Sequence, residues 1–106
     1  MKILVFCEHG NVRSVAMAYL IKTIYHHEHE VIAIGVKDIS NETFIQLTDW
    51  ADKLIFMDKA IIPDKIDYIT KPPTVFIADV GEDIWHDANN EELRHKCLKY
   101  IKDLDL

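Results

Sequence analysis

Glycine and proline are scarce, three of each in 106 residues, which excludes a linker-like or low-complexity chain and leaves little material for long loops. Basic residues are outnumbered, 12 against 18 acidic ones for a formal charge of -6. The chain therefore lacks the electrostatic footprint of a nucleic-acid binder or of polybasic attachment to anionic membranes. Long apolar runs are missing too: Met1-Lys2 followed by Ile3 to Phe6 is shorter than a signal peptide or a membrane span. The expectation is a cytoplasmic protein with neither nucleic acid nor membrane among its partners. Cysteine occurs only twice, at Cys7 and Cys97, which makes neither a disulfide framework nor a metal-binding spacing. What the chain does have is hydrophobic residues, 49% of the total. That suffices for a single domain over residues 1–106, burying roughly two-thirds of its unfolded surface.

The apolar residues fall into alternating patterns. Ile3-Leu4-Val5-Phe6 is a continuous run of the kind buried on both faces of a parallel sheet. From Ser14, a good N-cap, Met17, Leu20, Ile21 and Ile24 recur at helical spacing, up to the polar stretch Tyr25 to Glu30. Val31 to Gly35 reads as a second strand, Ser40 onward as a helix with Phe44, Leu47 and Ala51 on one face, and Lys53 to Met57 as a third strand. Asp58 to Ile69 carries isoleucines but also Pro63, so a short helix or a turn restarting at the proline is expected. Thr74 to Ala78 gives a fourth strand, followed by an acidic loop to Asp87 and, from about Asn90, a helix burying Leu93, Cys97, Tyr100, Ile101 and Leu104. Its acidic start and basic end suit the helix dipole. This alternation predicts an α/β fold, a four-stranded, mostly parallel open sheet with helices on both faces. Ligands of such sheets bind beyond the carboxyl ends of the strands, where Cys7 and Asp79 both fall.

The chemistry concentrates in Cys7-Glu8-His9-Gly10-Asn11-Val12-Arg13-Ser14. A thiol attacks as its thiolate, and a loop at a helix N-terminus beside an arginine is an environment that favours that form. Arg13 can grip two phosphoryl oxygens bidentately, the backbone of residues 8–12 can supply N–H donors to the same anion, and the Ser14 hydroxyl can donate to the thiolate. The plain alternative is a small strand-end hydrophobe next to a surface charge. His26, His27 and His29 sit too close in sequence to share a helix face, so a solvated helix terminus is expected there and no metal site. Trp85 either walls a site with its ring or packs the acidic loop onto the sheet.

A cysteine, five residues, an arginine and a serine, set after Ile-Leu-Val-Phe, together with Met17-Ala18 and Trp50-Ala51-Asp52-Lys53-Leu54-Ile55-Phe56-Met57, resembles the low-molecular-weight protein tyrosine phosphatases, in particular their short prokaryotic branch. The resemblance implies that family's three-layer sandwich. It also implies hydrolysis of a phosphate monoester through a phosphocysteine, without cofactor or metal, the substrate being a phosphorylated protein or a small phosphomonoester. Cys7 would be the nucleophile, Arg13 and the loop amides the phosphate clamp, and Asp79, just after the fourth strand, the general acid. Asp83 is the alternative acid, and Asp87 belongs nearer the cap of the last helix. Two departures from the family pattern stand out. Gly10-Asn11 lies one position later than usual, with His9 in the glycine place and Glu8 at the rim, and Asp79 is followed by Val80 rather than proline. A catalytically weak or inactive oxyanion-binding module of the same fold is the second expectation. Cys97 as a core residue weighs against arsenate-reductase chemistry, which needs further cysteines to resolve the first.

Overall fold

The structure, a computed structural model, describes residues 1–9, 12–37, 39–61, 74–81, 84–104 and 106. Its elements run β1 (Lys2–Cys7), α1 (Arg13–Ile24), β2 (Glu30–Gly35), α2 (Asn41–Trp50), β3 (Lys53–Phe56), a 3-10 turn (Lys59–Ile61), β4 (Thr74–Ile77), α3 (Glu91–Ile101) and a closing 3-10 turn (Lys102–Leu104). The restart expected at Pro63 lies outside the described residues.

The four strands form one parallel sheet in the order β2-β1-β3-β4. A strand with neighbours on both sides and helices above and below has no polar face to offer, which is why β1 reads as an unbroken apolar run. Its side chains alternate between two cores. Ile3, Val5 and Cys7 join Met17, Leu20 and Ile21 of α1 and Leu93, Cys97 and Ile101 of α3. Leu4 and Phe6 point the other way, to Phe44 of α2 and to Leu54 and Phe56 of β3. There Phe6 stacks on Phe56, with centroids 5.0 Å apart, and meets Phe44 tilted at 5.4 Å. α1 and α3 thus cover one face and α2 the other. β4 is more open, with Val75 and Ile77 about two-fifths exposed. Among the described residues no helix is long and apolar enough to cross a membrane.

The helix ends show where side chains settle backbone groups. Ser40 Oγ accepts from Thr43 N at 3.1 Å, and Asn90 Oδ1 accepts from Leu93 N at 3.1 Å, each satisfying an N–H that the helix leaves open. α2 also buries Thr48, whose hydroxyl is satisfied by donating to the Ile45 carbonyl at 3.0 Å. α1 differs from the expectation: it begins at Arg13, Val12 holds the cap position with no side-chain bond, and Ser14 is wholly buried inside the first turn. Ile24 lies on the expected arc but is 41% exposed, because it occupies the final turn at the rim of the core. Burial pushes the Cys97 thiol up to about 12, so it stays protonated and unreactive at neutral pH.

α1 closes through a Schellman turn. His27 N donates to the Lys22 carbonyl at 2.8 Å and His26 N to the Thr23 carbonyl at 3.4 Å, a closure that requires left-handed backbone at His26, φ 53°; His27 follows it there at φ 62°. Side chains resist that region and glycine does not. His26→Gly is therefore expected to raise stability by about 0.5–1 kcal/mol, read as a higher urea midpoint at unchanged slope. A lower midpoint would show that the imidazole contributes more than the strain costs.

Candidate active site

Strand order reverses between β1 and β3, which opens a crevice beyond their carboxyl ends. Hydrogen bonds past the last paired residues tie the outgoing chains together there. Val36 N donates to the Cys7 carbonyl at 2.9 Å, Met57 N to the Phe6 carbonyl at 2.9 Å, and Val80 N to the Met57 carbonyl at 3.3 Å. The ends of all four strands are thus drawn to one rim.

Cys7 is the final residue of β1 and only 2% exposed. Its Sγ lies 3.1 Å from the Ser14 Oγ in the first turn of α1, so a hydroxyl is at hand to donate to a thiolate. This contact also explains the missing cap: the serine faces the sulfur instead of the helix end. Arg13, beside it, is 1% exposed. Its Nη1 donates to the Asp58 carboxylate at 3.2 Å and to the Gly81 carbonyl at 2.7 Å. A buried guanidinium needs such acceptors, since removing a charge from water costs several kcal/mol unless partners replace the solvent. Asp58 is held in turn by the Ala60 N–H at 2.9 Å.

Of the remaining sequence-derived site residues, Glu8 is partly buried and forms an ion pair with Lys37. That partner, by hydrogen bond and by charge, holds the Glu8 carboxyl below the usual carboxylate range. Its negative charge is met at the rim instead of being turned loose on the crevice. His9 is exposed, 3.9 Å from Glu8, and Val12 is half-buried with its carbonyl accepting from Ala16 N at 2.9 Å. Gly10, Asn11 and Asp83 lie outside the described residues. Asp79 is exposed, its carboxylate 3.6 Å from Lys59 Nζ and its carbonyl accepting from the Tyr100 hydroxyl at 3.0 Å. Two residues on, Gly81 touches Arg13, so Asp79 belongs to the same rim. Trp85 packs in the core beneath α1 and α3, and Asp87 Oδ1 accepts from Asn89 N at 2.9 Å just ahead of α3. Among the described residues no group of three His, Cys, Asp or Glu side chains converges as a metal ion would need.

Asp58, Gly81 and Lys37 are the members that sequence patterns did not single out. Asp58 stands immediately beyond β3, next to β1 in the sheet, and Gly81, at φ 88°, is one of only three glycines. Position at a strand's carboxyl end was the available signal for the first, and rarity for the second. No family model matches the chain, and no curated protein or solved structure matches it.

Removing the Asp58 carboxylate leaves a nearly inaccessible cation short of one acceptor. Asp58→Ala is expected to cost about 1–3 kcal/mol, and tens of millimolar inorganic phosphate to restore part of the loss by binding the folded state. Both effects are read from thermal unfolding with and without phosphate. A variant as stable as the parent would remove Asp58 from this account of the site.

Proposed function

We propose that the protein is a cysteine-dependent phosphatase of the low-molecular-weight tyrosine phosphatase type, hydrolysing phosphate monoesters. The observation that carries the reading is the 3.1 Å contact between Cys7 Sγ and Ser14 Oγ, one residue from a buried arginine. The strand order and the helices on both faces of a parallel sheet support the resemblance to that family's three-layer sandwich.

The chemistry runs in two steps. Cys7, as thiolate, attacks phosphorus while the bond to the leaving oxygen breaks, and the Asp79 carboxyl gives that oxygen its proton, so an alcohol or phenol departs and a phosphocysteine remains. Water then attacks phosphorus, the sulfur–phosphorus bond breaks with its electrons returning to Cys7, and the Asp79 carboxylate takes the proton from the water. Ser14 steadies the sulfur's negative charge before the first step and after the second. Arg13 carries the charge of the equatorial oxygens, exchanging acceptors with the incoming phosphate, while Asp58 keeps its guanidinium aimed at the crevice. The same Arg13 contacts also suit the second reading, an oxyanion-binding module with little turnover, since in this structure Asp58 and Gly81 take up Nη1.

Hydrolysis of 4-nitrophenyl phosphate at mildly acidic pH separates the two. The parent chain is expected to turn over and Cys7→Ser to lose essentially all activity while still binding inorganic phosphate. Equal, negligible rates in two phosphate-binding proteins would leave the binding module standing.

Asp79→Asn is expected to slow hydrolysis of phenyl phosphate about a hundredfold or more, and that of 4-nitrophenyl phosphate far less, because a good leaving group needs little protonation. An undiminished rate on phenyl phosphate would move the acid to Asp83.

A further inference from the structure

A groove of about 300 Å³ opens between the chain that follows β4 and the outer side of α3, lined by Asp79, Val80, Gly81, Lys96, Lys99 and Tyr100. It meets the crevice at Gly81, whose carbonyl accepts from Arg13. The Tyr100 hydroxyl, donating to the Asp79 carbonyl, pins the loop against the helix and keeps the groove's two sides together.

Its helix side is cationic in a chain of formal charge -6. Lys96 and Lys99 are three residues apart, hence neighbours on the helix surface. The Lys96 ammonium is not left to wander: it sits over the Trp85 ring, 5.3 Å from the centroid, an attraction that orients a cation without neutralising it. Trp85 is itself 7% exposed, and its buried indole N–H finds no acceptor among the described residues. On the opposite side stands Asp79, whose carboxylate lies 3.6 Å from Lys59 Nζ.

Resting on the phosphatase reading, we infer that this groove is a subsite for a second anionic group of the substrate, a carboxylate or phosphoryl group carried on the leaving-group side. The side follows from Asp79. The residue that protonates the leaving oxygen also lines the groove, so whatever extends from that oxygen passes Asp79 and reaches Lys96 and Lys99. Such a group is supplied either by an acidic residue flanking a phosphotyrosine or by the second phosphate of a small bisphosphate.

Two substrate pairs distinguish these sources in the full chain and in its Lys96→Gln/Lys99→Gln double variant. One pair is a phosphotyrosine peptide with a flanking Asp and the same peptide with Asn; the other is an aryl bisphosphate and its monophosphate. The charged member of one pair is expected to be preferred roughly five- to tenfold in kcat/KM at low salt, carried by KM, and the preference to vanish in the double variant. The pair that shows it identifies the source. No preference in either pair, or one that survives the substitutions, overturns the subsite. If no phosphate ester is turned over at all, the hydrolase reading fails separately, and calorimetric titration of the same pairs decides the groove. A charge preference in binding that is lost in the double variant upholds it, and equal binding overturns it.

Discussion

A guanidinium with almost no access to water needs acceptors, and those that Arg13 Nη1 finds tie together one whole end of the molecule. Arg13 opens α1, its carboxylate partner Asp58 follows β3, and its carbonyl partner Gly81 follows β4. Three chain segments far apart in sequence are therefore held to a single side chain. Because desolvating the charge without those partners would cost several kcal/mol, the loops cannot drift apart cheaply. The crevice is shaped before any ligand arrives.

That arrangement is possible because β1 lies inside the sheet. Being paired on both sides and covered on both faces, it delivers Cys7 to a fixed point at the rim, and α1 leaves from the same point carrying Arg13 and Ser14. The sulfur, the hydroxyl and the cation are thus placed by rigid elements, with only residues 8–12 between them. Groups fixed by rigid elements lose little conformational freedom on meeting a ligand. Thr48 and Lys53 extend the same economy: each buried polar group is met by a main-chain carbonyl, Ile45 for the threonine and Leu104 for the lysine.

The architecture was largely legible in the residues. An unbroken apolar run marked the central strand, helical spacing marked Met17, Leu20 and Ile21 as buried, and Ser40 and the acidic start of α3 marked helix beginnings, because these signals are local and act within one or two turns. Four features were not. Ser14 has the chemistry of a cap, yet the sulfur at the end of the preceding strand claims it. Thr48 faces the core because its hydroxyl finds a carbonyl in its own helix. Asp58 and Gly81 lie 45 and 68 positions from Arg13, a pairing decided by strand order, which no local spacing encodes. The open side of β4 likewise depends on which face each helix takes.

The Lys53 ammonium donates to the Leu104 carbonyl at the start of β3, at the opposite end of the sheet from Cys7. The closing turn is thereby moored to the amino ends of the strands, while Cys7, Arg13 and Ser14 gather at the carboxyl end of β1. The sheet acts as a spacer between that anchorage and that cluster. Changes to the closing turn therefore have a route to alter how firmly the domain holds together while leaving the geometry around the sulfur as it is.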